Sequence, residues 1–281
     1  MDQRRTPIYR PAPPPHKSPT VYKKMLRKET WAIIVTALTA ALLLIFFLTH
    51  HSGKKTASTP NKPNTSASQQ ATQQPAFDKT KYSLTDPASI WIIVNKKHIL
   101  NPKDYVPADL TVPDVPQRVP GNESMQMRKV TADALTQLFS GAKTSSGFNL
   151  MVSSGYRSFA YQTNLYGGYV KSMGQAQADK TSARPGYSEH QTGLAVDVEA
   201  NTRNCELDVC FGATPEGKWV AANAYKYGFI IRYPEDKVGL TGYEYEPWHI
   251  RYVGVDLATE MHSKNIETLE EFFNVPGGDY N

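Results

Sequence analysis

The longest uninterrupted apolar stretch lies near the front of the chain. From Trp31 to Leu48 every position is apolar or threonine and none is charged, whereas the flanks are polar. At 1.5 Å of rise per residue, a helix over residues 31–48 is roughly 27 Å long, enough to cross the hydrocarbon core of a bilayer. Further on the pattern breaks into short runs. Ile90 to Val94, Leu150 to Ser154, Phe229 to Arg232 and Trp248 to Tyr252 read as strands, as does the Leu-Ala-Val-Asp-Val run after Gly193. Met125, Val130, Ala134, Leu135 and Leu138 recur at helical spacing, with Asn122 or Ser124 to cap the helix and Gly141 to end it. Ser158 caps a second helix, whose stripe of Tyr161, Leu165, Tyr169 and Met173 is expected to face the core. Pro215 opens a third, ended by Gly228, and two short helices are expected over residues 255–263 and 268–273. The elements sum to an α+β fold, a mainly antiparallel central sheet with flanking helices, preceded by a single N-terminal transmembrane helix.

Charge changes the picture at one end only. Residues 1–30 hold eight lysines and arginines against Asp2 and Glu29, a net of +6, while the whole chain is +5, leaving the rest close to −1. The basic balance is therefore local, and a nucleic-acid partner is not expected. The same asymmetry orients the span. Arg10, Lys17, Lys23, Lys24, Arg27 and Lys28 crowd its N-terminal side, so the N-terminus is expected in the cytoplasm and the bulk of the chain outside. A cleaved signal peptide is the competing reading, with Thr56-Ala57-Ser58 as its best site, but that site lies far past the apolar run.

The organisation that follows is a basic, proline-rich cytoplasmic tail (1–30), a transmembrane signal anchor (31–48), a Ser/Thr/Asn/Gln/Pro-rich linker (49–79), a folded domain (80–276) and a short C-terminal tail (277–281). The linker has almost nothing apolar to bury and reads as a tether spanning on the order of 25 to 30 Å as a coil. The expected localisation is the cell membrane, single-pass, with the folded domain extracytoplasmic. In that oxidising setting Cys205 and Cys210, the two cysteines of the chain, are expected to close a small disulfide loop rather than a metal site.

Candidate chemistry concentrates in two stretches. Ser188-Glu189-His190-Gln191-Thr192-Gly193-Leu194-Ala195-Val196-Asp197 and Glu246-Pro247-Trp248-His249 offer two imidazoles and several carboxylates. A catalytic zinc takes three such ligands and leaves a fourth position to water, a need that His190, Asp197 and His249 meet. On the predicted strand Ala195 and Asp197 share one face and Val196 and Val198 the other, and an aspartate among small apolar residues calls for a cation. Glu246, three residues before His249, suits a general base that reaches the water without ligating the metal. Pro247 excludes the helical HExxH arrangement. Arg157, at a strand end beside a helix start, presents a planar fork suited to a substrate carboxylate or an oxyanion, and Gln162 near that helix start is placed to face the same cleft.

Together with Ser154-Gly155-Tyr156-Arg157-Ser158 and the run Glu246-Pro247-Trp248-His249-Ile250-Arg251-Tyr252, these blocks resemble the signatures of the VanY-type D-alanyl-D-alanine carboxypeptidases, of the LAS group of zinc peptidases. The resemblance covers about residues 83–274. It implies one zinc ion on His190, Asp197 and His249, Glu246 as catalytic acid/base, Arg157 facing substrate and developing negative charge, and Gln162 and Ser188 lining the substrate pocket. It also implies a peptidoglycan stem peptide or its precursor as substrate, cut at a terminal D-Ala-D-Ala bond. An L,D-carboxypeptidase acting on tetrapeptide stems and a non-catalytic zinc-containing wall-binding module are the alternatives, the latter disfavoured by an intact Glu246.

Overall fold

The computed structural model describes residues 76–280. Among the described residues no helix is long and apolar enough to cross a membrane. The expected tail, span and most of the linker (residues 1–75) lie outside them. The described residues form one compact unit.

In chain order the elements are β1 (Leu110–Thr111), β2 (Met127–Arg128), α1 (Lys129–Ser146), β3 (Leu150–Ser154), α2 (Phe159–Met173), α3 (Gln175–Thr181), β4 (Ala195–Ala200), α4 (Pro215–Asn223), β5 (Phe229–Tyr233), α5 (Val238–Thr241), β6 (Glu246–Tyr252), α6 (Val255–Ser263) and α7 (Leu269–Phe273). Single 3-10 turns cover Glu123–Met125, Glu189–Thr192, Val209–Ala213 and Ala224–Tyr227. β1 and β2 make a small antiparallel pair, and the main sheet runs β3-β4-β6-β5, antiparallel throughout.

The two faces of that sheet have different jobs, because side chains alternate along each strand. One face carries Val196, Val198, Ile231, Ile250 and Tyr252 into the main core, which Leu135, Leu138 and Ala142 of α1 and Val220 of α4 cover. The other carries Ala195, Asp197 and Glu199 on β4, His249 and Arg251 on β6, and Ile230 and Arg232 on β5. Toward the β5 edge Ile230 joins a second apolar cluster with Trp91, Leu257, Met261, Leu269 and Phe272. Between the two lies a polar floor.

Several expectations are corrected. Residues 90–94 do not join the sheet: the segment leaves a turn at residues 90–91 and is buried from Trp91 on, with Ile93 N–H bonded to Leu84 O, and its Ile90 and Ile92 carbonyls serve the Arg251 guanidinium instead of a strand. The helix expected to start at Asn122 or Ser124 begins at Lys129, since Asn122 caps only a 3-10 turn and Met127–Arg128 pairs with β1. It also runs through Gly141 to a left-handed Gly147, because Gly141 lets the Tyr227 hydroxyl press against the helix where a methyl would collide. The α2 stripe is not core: Tyr161, Leu165 and Tyr169 are half-buried, Met173 is exposed, and Gln162 is the buried residue of that helix. Packing also takes in residues outside 80–276. Phe77 stacks on Trp91, and the Tyr280 hydroxyl accepts from the Arg184 N–H.

Candidate metal and catalytic site

Cross-strand register brings the site together. Asp197 of β4 lies directly opposite His249 of β6, and Ser154 of β3 opposite Asp197 on its other side. Directly opposed residues have Cβ atoms about 5 Å apart, so two metal-binding types there face one point. His190 arrives from the 3-10 turn Glu189–Thr192, which Gly193 closes in a left-handed conformation (φ 66°) before β4 begins. A side chain at Gly193 would press on the Arg128 backbone nitrogen, 3.0 Å from the added Cβ.

His190, Asp197 and His249 are all buried, and one donor atom from each lies within 4.8 Å of the others. His190 Nε2 is 3.4 Å from Asp197 Oδ1, and His249 Nδ1 is 3.3 Å from the same oxygen. Donors about 2.05 Å from a tetrahedral ion stand roughly 3.3–3.4 Å apart, which is the spacing observed for both pairs. His190 Nε2 and Asp197 Oδ1 are buried without a hydrogen-bond partner, a costly state for polar atoms. The His190 Nδ1–H donates to Gly155 O at 2.7 Å, which leaves Nε2 with its lone pair toward the centre. Two imidazole nitrogens and one carboxylate oxygen brought together in this way are a donor set that fits a zinc ion.

Electrostatics favour that donor set at His190 and Asp197. Burial lowers the His190 pKa, helped by the Arg157 charge, to about 4, so this ring is neutral and ready to ligate. Burial alone would raise the Asp197 carboxyl, but His190 and His249 outweigh it and keep it ionised. Burial disfavours charging His249 too, yet the carboxylates of Asp197, Glu189 and Glu246 outweigh it and raise its pKa to about 9, so without a metal this ring is protonated and ligation releases its proton.

Glu246, at the start of β6, places Oε2 3.5 Å from His249 Nδ1 with 17% of its side chain exposed. Burial raises its pKa to about 7, the Asp197 charge adding to this against His249 and Arg157. An acid poised at neutrality beside a metal donor set can both take and return a proton. Arg157 reaches the same centre from the β3–α2 connection, its Nη2 3.7 Å from Asp197 Oδ2 and its Nε buried without a partner.

Gln162 and Ser188 lie one layer back. Gln162 is fully buried: its Oε1 accepts from Arg157 Nη1 at 3.2 Å, and its amide donates to Ser182 Oγ and Ala183 O. It thus ties the arginine to the 182–183 loop. Ser188 is buried at the residue preceding the 3-10 turn. Cys205 and Cys210 form a disulfide in the loop after β4. His262 stacks on Tyr225 and His98 bonds to Asn95, both away from the centre.

Sequence reasoning missed a layer beneath the ligands. Glu189 is fully buried between Arg232 and Arg251, and the Tyr233 ring packs 4.8 Å from His249. The signal was available: Arg232 and Arg251 are charges inside otherwise apolar strand patterns, which demand buried partners.

Comparison with known proteins agrees with this geometry. The family model described as VanY, D-alanyl-D-alanine carboxypeptidase, matches residues 124–255. YodJ of Bacillus subtilis (strain 168), a carboxypeptidase by name, is 42% identical over 228 residues, covering 78% of this chain and 81% of YodJ. The solved LdcB LD-carboxypeptidase, whose study concerns peptidoglycan recognition, is 44% identical, covers 68% of this chain and 89% of its own, and superposes with a TM-score of 0.63. A variant of the vancomycin-resistance D,D-pentapeptidase VanY solved with Zn(II) is 33% identical over 65% of this chain and 98% of its own, at a TM-score of 0.50.

Proposed function

We propose, for a chain that belongs to the VanY D-alanyl-D-alanine carboxypeptidase family, that it is a zinc carboxypeptidase removing the terminal D-alanine from peptidoglycan stem peptides. The observation that carries this is the convergence of His190, Asp197 and His249, whose donor atoms lie within 4.8 Å of one another, beside a carboxyl poised near neutrality. A zinc ion held by those three residues supplies a Lewis acid for the scissile carbonyl and a water acidified toward pH 7.

This chain's own residues do the rest. Glu246 takes the proton from the attacking water and passes it to the departing amine, the double role that suits a pKa near 7. Arg157, fixed by Gln162, meets either the negative charge that develops on the carbonyl oxygen or the substrate's terminal carboxylate. The buried position of the donor set excludes bulk water and strengthens each of these charges.

The family's name favours cleavage of D-Ala-D-Ala. The L,D reading, in which a tetrapeptide stem loses its last alanine, has one specific observation behind it: the greater identity and closer superposition of the LD-carboxypeptidase than of the D,D-enzyme. Mass spectrometry of zinc-loaded residues 75–281, incubated separately with each stem, decides. Shortening of the pentapeptide alone establishes the D,D activity, and shortening of the tetrapeptide the L,D one. Retained zinc with no shortening of either removes the catalytic reading in favour of a wall-binding module.

Residues 31–48 as a signal anchor and 49–79 as a tether would hold this domain outside the membrane, within reach of the wall. Support comes from the uncharged apolar run and the cationic residues before it. Protease added to intact cells should remove the domain and leave the tail; full protection would place the domain inside.

A further inference from the structure

Two guanidiniums and two carboxylates lie buried behind the ligands, and all four side chains are fully inaccessible to solvent or nearly so. Arg232 donates from Nη1 and Nη2 to the two oxygens of Glu270, at 2.9 and 2.7 Å, and from Nε to Glu189 Oε1 at 2.8 Å. Arg251 donates from Nη1 to the same Glu189 Oε1 at 2.6 Å, and its remaining N–H groups reach the carbonyls of Ile90, Ile92 and Tyr252. Asn95 completes Glu270. Five separate parts of the chain meet in this network, from the buried segment before β1 to α7.

The bonds are distributed unevenly over Glu189. Oε1 receives both arginines; Oε2 receives nothing, is buried, and points at His249 Nε2 at 3.7 Å. His249 Nε2 is likewise buried without a partner. The other ring nitrogen, Nδ1, is the one that faces Asp197 and Glu246. Stability is a poor reason for such a network, since apolar residues of similar volume usually serve as well or better than a buried ion pair. A spare carboxylate oxygen against the far nitrogen of a metal-binding imidazole is a reason.

We propose that Glu189 is the positioning residue of His249: anchored by Arg232 and Arg251, its free oxygen accepts the Nε2–H, which fixes the tautomer that turns the Nδ1 lone pair to the metal. Histidine ligands commonly owe their tautomer and orientation to such an acceptor, and losing it weakens metal affinity or activity about 10- to 100-fold. The inference rests on the zinc reading of the site.

Glu189→Gln is the informative change. Its carbonyl oxygen still satisfies both arginines, but its NH₂ then faces Nε2 as a donor and favours the opposite tautomer. Zinc affinity, read by competition with a chromophoric chelator, should fall 10- to 100-fold, and histidine ¹⁵N spectra of the zinc-loaded wild type should show His249 protonated at Nε2 with Nδ1 on the metal. Glu270→Gln cuts the same network on the far side of Arg232 and should leave zinc affinity within a few-fold. Equal losses in the two variants would make Glu189 one structural member among others and overturn the proposal. Should Glu189→Gln fail to fold, the wild-type spectrum still decides: zinc on Nε2 of His249, with Nδ1 protonated, refutes it. A wild-type protein that binds no zinc would instead remove the reading on which the proposal stands.

Discussion

Replacing Glu246 with glutamine separates the role of this carboxyl in turnover from its place in the fold. The amide keeps the shape of the side chain 3.5 Å from His249 Nδ1 but cannot accept a proton from water. General base catalysis contributes roughly 10²- to 10⁴-fold, so kcat/KM should fall by that factor, about 3 to 5 kcal/mol in the barrier. Zinc should stay, because Glu246 is not one of the three converging ligands. The metal-free fold should also gain stability. Folding raises the Glu246 pKa from 4.5 to about 7, so the ionised group opposes folding at any pH above both values, and the cost grows as pH rises between them. The shift corresponds to at most on the order of 3 kcal/mol, which a neutral amide removes. D-Alanine release followed with a coupled oxidase, zinc content by mass spectrometry and urea unfolding at pH 8 read the three effects. Wild-type turnover in a zinc-replete Glu246→Gln protein would refute the base assignment, and lost zinc would show that Glu246 is a ligand.

Other changes probe the surrounding layers. Gly155→Ala drives a methyl into the Gln126 carbonyl and displaces the acceptor of the His190 Nδ1–H, so zinc affinity should fall about 10-fold or more in the chelator assay; unchanged affinity would show that this bond does not orient the ring. Arg157→Lys keeps the charge but loses the fork held by Gln162, and kcat/KM for the stem peptide should drop on the order of 100-fold with zinc retained; a change under twofold would remove Arg157 from the site. The metal-free protein should lose stability in acid. Burial alone would raise the Glu270 carboxyl, but Arg232 and Asn95 hold it below its ordinary 4.5, so its contribution is complete above that pH and fades as pH falls below it. Urea midpoints that decline less steeply below pH 4.5 in Glu270→Gln than in the wild type would bear this out, and identical slopes would contradict it.

How legible the site was depends on which forces set each part. His190, Asp197, His249 and Glu246 stand in two short blocks, and alternation along β4 and β6 already put Asp197 and His249 on faces opposite the apolar residues. Strand pairing then needed only the register, which the valine and isoleucine pattern fixes. Two local readings failed where tertiary partners override local pattern. Residues 90–94 have the composition of a strand, but their carbonyls are claimed by Arg251. The α2 stripe has helical spacing, but the buried position of that helix is polar Gln162, committed to Arg157 and the 182–183 loop. Of the Glu189 network only the need for buried partners of Arg232 and Arg251 was legible. Its members are spread from residue 90 to residue 270, and no spacing in sequence announces that one carboxylate is shared by two arginines while its second oxygen faces a ligand.

Zinc-edge anomalous diffraction from crystals of zinc-loaded residues 75–281 tests the central claim most directly. A single peak is expected within about 2.0 to 2.2 Å of His190 Nε2, an Asp197 carboxylate oxygen and His249 Nδ1. Glu246 should stand off the metal. A peak elsewhere, or no peak in protein that had been supplied with the ion, would contradict the assignment of these three residues.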